Sequence, residues 1–153
     1  LELMADTPPE NRMTHGKTWA TRRELSHHLV EQFAAVLGRP DLEPFFGPNG
    51  QSEIAINGQV PGLGLVMGRV DRLAISSGVV HILDYKTNRN PLRSLQPDHE
   101  YTKQMASYVA LLQQAYPNHA VKAALLWTQT GEVMWLESDL ISRALDQMIK
   151  ETP

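Results

Sequence analysis

The sequence predicts an α/β domain in which helices flank a mixed central sheet. An early helical pattern precedes three strand-type runs joined by turns rich in glycine and serine, and two more helical patterns alternate with two further short strands. With 153 residues and 42% hydrophobic content, the chain can bury one proper core. Helix, strands, helix and strands in this order indicate a layered sandwich.

The first half of the chain predicts one helix and a meander of three strands. Apolar residues at helical spacing predict a helix over residues 22–37, which Gly38 and Pro40 end. Alternating and apolar runs predict strands over residues 53–57, 65–75 and 79–85, with turns at 61–64 and 76–78. The run from Val79 to Leu83 is mostly apolar. We therefore expect this strand at the centre of the sheet, buried on both faces.

The second half predicts a long helix, a strand pair and a closing helix. The long helix covers residues 98–115, with a cap near Asp98 and an end before Pro117. Strands follow at 121–128 and 132–136, and their tryptophans, Trp127 and Trp135, are expected in the core. The last helix covers residues 138–150, and Ser138 is its predicted N-cap.

Three charged residues stand at the ends of two neighbouring strands. Side chains two apart on a strand share a face, so Asp84 and Lys86 converge, and Asp71 on the partner strand can reach the same spot. Two adjacent carboxylates repel unless a cation lies between them. Oxygen ligands without any cysteine favour Mg²⁺ or Mn²⁺. Such an ion with a lysine beside it suits phosphodiester hydrolysis.

An isolated Asp-x-Lys is more often a solvated surface pair than a catalytic one, because exposed ion pairs are common and contribute little. Here the buried strand that leads into Asp84, and Asp71 in a Gly-x-x-Asp setting, favour a functional site. A carbohydrate hydrolase that uses Asp71 and Asp84 as acid and base is a further alternative, but it explains neither Lys86 nor Gln104.

Three motifs in sequence carry a family resemblance: Gly68-Arg69-Val70-Asp71-Arg72, Asp84-Tyr85-Lys86-Thr87-Asn88 and Gln104-x-x-x-Tyr108. Together they resemble the PD-(D/E)XK nuclease domain of the AddA and RecB type, the C-terminal domain of bacterial helicase-nucleases, and AddA is the closer match. The similarity covers roughly residues 40–145. It implies a restriction-endonuclease-like core for residues 21–153, with residues 1–20 a linker or the edge of a fragment.

The resemblance also implies a role for each matched residue. Asp71 and Asp84 match metal ligands, the carbonyl of Tyr85 matches a further ligand, and Lys86 matches the catalytic lysine. Gln104 matches a catalytic residue that orients this lysine. 

Two tyrosines lie on the same helix as Gln104. Tyr108 matches a contact to nucleic acid, although core packing explains it equally well; for Tyr101 core packing is the favoured interpretation.

Relatives place another metal ligand, commonly histidine, on an upstream helix in a Gly-x-x-x-His setting. His27 and His28 lie on the early helix without that glycine, so they are interpreted as ordinary helix residues. We expect the ligand helix to lie outside this fragment, which would then bind metal weakly and cleave DNA poorly or not at all. Glu53 is a lesser candidate, since a solvated carboxylate at a strand end explains it at least as well.

The net charge of −3 conceals a basic segment. Residues 69–103 carry six basic and four acidic side chains, a local charge of +2. Within this segment, Arg89 and Arg93 lie in a loop that is a plausible phosphate-binding lip, with a solvated loop as the alternative. Weak intrinsic affinity for DNA would suffice if a helicase feeds the strand into the site, because tethering raises the local concentration of DNA.

The sequence thus predicts an Mg²⁺-dependent deoxyribonuclease, the exonuclease domain of an AddA-like helicase-nuclease in double-strand break repair and recombination. The resemblance implies single-stranded DNA from unwound duplex, an AddB-like partner subunit and an ATP-binding helicase portion of the same polypeptide. An inactive nuclease-fold module that holds DNA or docks a subunit is the alternative. No apolar run is long enough to span a membrane, and the lack of cysteine fits a cytoplasmic protein.

Overall fold

The computed structural model describes residues 27, 30–31 and 33–153. In this part of the chain, residues 33–37 are helical, in line with the early helix predicted from the sequence. A 3-10 turn (Pro40–Leu42) and a short helix, α1 (Glu43–Phe46), follow it. The remaining elements are β1 (Gly50–Val60), β2 (Gly64–Ser76), β3 (Val79–Lys86), α2 (Glu100–Ala115), β4 (Ala120–Trp127), β5 (Glu132–Leu136) and α3 (Ser138–Glu151). The predicted linker, residues 1–20, lies outside the described residues.

The strands form a mixed sheet in the order β1-β2-β3-β4-β5. Neighbouring strands are antiparallel except β3 and β4, which are parallel and joined through α2. A parallel pair needs such a crossover, because a tight turn cannot connect it. β3 lies in the middle of the sheet, and Val80, Ile82 and Leu83 are fully buried. The predicted α/β class, the mixed sheet and the central position of β3 are confirmed.

Helices cover both faces of this sheet. On one face, α2 and α3 pack over the larger core, which includes Val80, Ile82 and Met105. On the other face, Val36, α1 and the neighbouring turn cover a smaller core that includes Leu83. The sandwich places the side chains of even-numbered β3 residues under α2 and those of odd-numbered residues on the opposite face.

The regular alternation of β2 slips by one residue near Asp71. Val70 and Leu73 both belong to the core under α2, although residues three apart on a regular strand face opposite ways. Arg72 packs on the other face, against Phe45 and Phe46. The slip therefore falls between Val70 and Arg72, at the position of Asp71.

The neighbouring strand β1 breaks at the same level. The β1–β2 ladder pairs Ser52 with Arg72 and Ile54 with Val70, and between them it skips Glu53 opposite Asp71. Glu53 has a φ of 54°, a left-handed conformation that is uncommon for any residue but glycine. Both strands of the hairpin are thus irregular at the level of Asp71, the first aspartate of the motif.

One predicted helix cap agrees with the structure to within one residue, and the other is wrong by one residue. His99, rather than Asp98, is the N-cap of α2, and its side chain accepts a hydrogen bond from the backbone N–H of Tyr101. At α3 the N-cap is Glu137, and Ser138 is the first helical residue. None of the helices in the described ranges is long and apolar enough to cross a membrane.

Candidate active site

Asp84 and Lys86 form a buried ion pair at the end of β3. They continue the face on which Val80 and Ile82 enter the core, so the apolar strand delivers both charges beneath α2. The Lys86 Nζ lies 2.6 Å from Asp84 Oδ2, and each side chain is only 10% exposed. A solvated surface pair, the alternative interpretation of the sequence, does not describe this arrangement.

Asp71 reaches the same place across a gap between β2 and β3. The ladder between these strands ends at Arg72 and Leu83, one position before the two aspartates would pair. Beyond that point the Asp71 Oδ2 accepts a hydrogen bond of 2.7 Å from the backbone N–H of Tyr85. The carboxylate thus replaces the strand partner that Tyr85 lacks on this side.

The carbonyl of Tyr85 faces this gap as well. In an extended strand, the N–H and the C=O of one residue point to the same side, and those of the next residue point to the other. The Lys86 carbonyl accepts a hydrogen bond of 2.9 Å from Thr128 on the β4 side. The Tyr85 carbonyl therefore points toward β2, where its own N–H meets Asp71.

Burial raises the pKa of the Asp84 carboxyl above its ordinary value, because low-dielectric surroundings disfavour the charged form. Lys86 opposes this effect through its hydrogen bond and its charge, whereas Asp71 adds to it as a like charge and as a hydrogen-bond partner. The two carboxyl groups are thus close neighbours in a buried setting. A cation bound between them would relieve both the burial and the repulsion.

Gln104 and Tyr108 extend the site from β3 to α2. The Gln104 Oε1 accepts a hydrogen bond of 3.3 Å from Lys86 Nζ, and its amide nitrogen donates one of 3.3 Å to the Tyr108 hydroxyl. Residues four apart share one face of a helix, which is why Tyr108 can hold the Gln104 amide that accepts from Lys86. Tyr108 is 7% exposed, so its observed contacts lie within the protein rather than at an open surface.

Gly68 makes room for this chain of hydrogen bonds. A Cβ atom at this position would lie 2.2 Å from the Tyr108 hydroxyl oxygen and 2.5 Å from two ring carbons. The ring therefore rests directly on the backbone of β2. The glycine of the Gly-x-x-Asp motif is explained by this close approach and needs no unusual φ.

The remaining predicted residues lie farther out. Arg89 and Arg93 are exposed in the loop between β3 and α2, and no carboxylate of the described residues pairs with either. The Glu53 side chain is 75% exposed, 3.9 Å from Arg69. His27 is exposed on the early helix, and His28 lies outside the described residues.

A divalent ion fits the donor atoms of this site. Asp71, Asp84 and the Tyr85 carbonyl offer only hard oxygen atoms, the ligand type that Mg²⁺ and Mn²⁺ prefer. Within the ranges that the structure describes, no cluster of three or more His, Cys, Asp or Glu side chains could hold a metal. The two carboxylates and the carbonyl would therefore share the ion with water molecules or with further ligands.

Tyr101 belongs to the site, although its helical spacing suggested only core packing. The Lys86 Nζ lies 3.8 Å from the centre of its ring. A signal was present in the sequence, because Tyr101 stands three residues before Gln104 and shares its helical face. Nothing in that spacing reveals which neighbour the ring faces.

A mixed sheet that brings two aspartates and a lysine together beneath a helix is the arrangement expected of a nuclease-fold domain. A family model described as the PD-(D/E)XK nuclease superfamily matches residues 1–148. The chain belongs to this superfamily. No curated protein sequence matches it.

Two solved structures are similar to this chain to different degrees, and only the first is similar enough to indicate a shared fold. One is described as "Putative exonuclease" from Eubacterium rectale, with a TM-score of 0.55 and 17% sequence identity. The match covers 80% of this chain and 49% of the other, so the chain spans about half the length of that protein. The other, SSO0001, has a TM-score of 0.40 and 17% identity, over 90% of this chain and 70% of the other.

Proposed function

We propose that the protein is a metal-dependent deoxyribonuclease that hydrolyses phosphodiester bonds at the Asp71–Asp84–Lys86 site. The observation that carries this proposal is the buried contact of 2.6 Å between Lys86 and Asp84, with Asp71 beside it across the gap in the sheet. Burying an acid and a lysine beside a second, partly buried acid is costly. A site that binds a cation and a phosphate gives this arrangement a function.

Asp71, Asp84 and the Tyr85 carbonyl are the residues that would hold Mg²⁺ or Mn²⁺. When bound, such an ion lowers the pKa of a water molecule and polarises a phosphoryl oxygen. In hydrolysis, the water oxygen bonds to phosphorus while one ester P–O bond breaks, and negative charge grows on the phosphoryl oxygens. 

Lys86 supplies the positive charge on the protein side of this reaction. Its ammonium group can orient the attacking water and can stabilise the charge that develops on the phosphate. Gln104 accepts one of the ammonium hydrogens and so fixes the direction of the others. Since the network is built before substrate arrives, little reorganisation is needed during reaction.

The wider assignment rests on the three motifs. They support an exonuclease domain of an AddA-like helicase-nuclease in double-strand break repair and recombination. Single-stranded DNA from the unwound duplex would enter past Arg89 and Arg93, an AddB-like subunit would be the partner, and an ATP-dependent helicase portion would share the polypeptide. Such a complex would work in the cytoplasm.

The assay uses end-labelled single-stranded DNA, with Mg²⁺, with Mn²⁺ and with EDTA. We expect cleavage that needs the ion and that Lys86→Ala lowers by at least about a hundredfold, as for loss of other charge-stabilising groups. Lys103→Ala is the matched control, because Lys103 is a lysine of the neighbouring helix α2 that pairs at the surface with Glu151 at 3.2 Å. Cleavage that survives EDTA, or that both variants retain in full, would refute the proposal.

The alternative of an inactive DNA-holding or docking module makes a different prediction. Such a module would bind single-stranded DNA through the exposed Arg89 and Arg93 without cleaving it. Binding that is equal for the wild type and for Lys86→Ala, with no product at any metal concentration, would favour that alternative.

A further inference from the structure

The ammonium group of Lys86 is held by three different kinds of partner. Asp84 provides a carboxylate at 2.6 Å, Gln104 provides an amide oxygen at 3.3 Å, and Tyr101 presents the face of its ring at 3.8 Å. A cation over a tyrosine face is attracted by the ring quadrupole, and the attraction is larger where water is excluded. Lys86 is 9% exposed, so this contact is largely shielded from solvent.

The ring of Tyr101 is itself fixed in place. Its backbone N–H donates a hydrogen bond of 3.1 Å to the Nδ1 of His99, the N-cap of α2. The two rings also pack edge to face, with 4.7 Å between their centres and 67° between their planes. The first turn of α2 thus presents a rigid aromatic face to the end of β3.

From this contact we propose that Tyr101 is a positioning residue, whose ring holds the Lys86 ammonium in the reactive cleft. The inference rests on the proposed nuclease function, because Lys86 is the residue through which Tyr101 would act. Lysine is a flexible chain of four carbons that ends in a compact charge, and ordering it costs conformational entropy. A ring face lowers that cost by restricting the ammonium to one side of the cleft.

The ring offers something that the other two partners do not. Asp84 is also a candidate metal ligand, and Gln104 is occupied by Tyr108 as well as by Lys86. The Tyr101 face accepts the charge without a lone pair that competes for the metal or for the attacking water. The hydroxyl has no part in this contact, so a phenylalanine should replace the tyrosine.

The test compares Tyr101→Leu, Tyr101→Phe and a matched control, Tyr116→Leu. Tyr116 lies at the other end of α2, is also half-buried against the main core and also packs edge to face on a histidine, His119, at 5.7 Å. Leucine at either position removes one ring from one end of α2, but only Tyr101 faces Lys86. A general loss of stability would therefore affect both variants.

Two readouts are needed. Nuclear magnetic resonance of the side chain should show the ε-methylene protons of Lys86 shifted upfield by the ring in the wild type and in Tyr101→Phe, and unshifted in Tyr101→Leu. In the cleavage assay, kcat should fall by roughly tenfold in Tyr101→Leu with KM unchanged, which corresponds to about 1.4 kcal/mol. Tyr101→Phe and Tyr116→Leu should keep kcat within about twofold of the wild type, a negligible difference on this scale.

The outcomes separate this inference from the proposed function. An unshifted Lys86 signal in the wild type, or an equal fall of kcat in Tyr101→Leu and Tyr116→Leu, would overturn the positioning role. A kcat in Tyr101→Phe as low as that in Tyr101→Leu would overturn it too. If the wild type binds Mn²⁺ at the site but cleaves no DNA, the nuclease proposal fails, and the shift of Lys86 with its loss in Tyr101→Leu still decides whether Tyr101 holds the lysine.

Discussion

Two ion pairs of nearly equal length occupy opposite environments in this protein. Lys86 and Asp84 lie 2.6 Å apart and are each 10% exposed, whereas Arg39 and Asp41 lie 2.7 Å apart and are 40% and 39% exposed. The pKa of Asp84 is raised by burial, but hydrogen bonding from Arg39 lowers that of Asp41 to about 2. Distance alone therefore does not reveal what an ion pair does.

The difference lies in what surrounds each pair. Asp41 also accepts a hydrogen bond of 3.0 Å from the Trp135 indole, so it ties the turn before α1 to β5. Asp84 instead faces Asp71, a second acid that a structural pair would avoid. The burial of the Asp84–Lys86 pair next to a second acid is costly, and a bound cation would offset that cost.

The largest expected effect is that of Asp84→Asn. The amide cannot serve as an anionic ligand, so metal binding and cleavage should both be lost, by at least about a hundredfold in rate. Titration calorimetry with Mn²⁺ and the DNA cleavage assay measure the two losses. Asp41→Asn is the matched control and should bind Mn²⁺ and cleave DNA normally. An equal loss in both variants would show that the two ion pairs do not differ in function.

A smaller effect is expected for Gln104→Leu. Leucine keeps much of the volume but removes the oxygen that accepts from Lys86, so the lysine loses one orienting contact. We expect the cleavage rate to fall by about tenfold, as for one hydrogen bond to a charged group. Metal binding should be unchanged; a fall in Mn²⁺ affinity as large as that in Asp84→Asn would show that Gln104 acts on the ion instead.

The smallest effect concerns the exposed pair and its dependence on pH. The pKa of Asp41 is lowered from 3.8 to about 2 on folding, so its stabilising effect is fully present above pH 3.8 and is lost as pH falls toward 2. Asp41→Asn should lower the free energy of unfolding at pH 7 by less than about 1 kcal/mol, since the pair is exposed. The variant still accepts from Trp135. Urea unfolding at pH 7 and pH 2 should show the difference shrinking with acid, and a difference that grows would contradict this assignment.

Much of the fold was predictable from hydrophobic pattern. The β3 segment is mostly apolar, and it does lie at the sheet centre. The cap of α3 was missed by one residue and that of α2 was predicted only approximately, because neighbouring residues such as Asp98 and His99 can both begin a helix. Sequence pattern fixes a helix boundary only to within one or two residues. The sequence contains a sign of the slip at Asp71, because the core-facing apolar positions are even-numbered at Val66 and Val70 and odd-numbered at Leu73.

The candidate site was predictable in part. The convergence of Asp84 and Lys86 follows from strand periodicity, and the hairpin brings Asp71 near them. The contact between Lys86 and Tyr101 depends on how α2 lies over β3, which no local spacing determines. Likewise, the reason for Gly68 becomes clear only when Tyr108 is seen against it.

Locating Mn²⁺ by its anomalous scattering, in crystals of the protein soaked with the ion, tests the central claim most directly. We predict one strong peak between the carboxylates of Asp71 and Asp84, within ligand distance of the Tyr85 carbonyl oxygen, and no such peak in crystals of Asp84→Asn. Crystals that bind Mn²⁺ elsewhere, or that leave these three oxygen donors without an ion at saturating Mn²⁺, would contradict it.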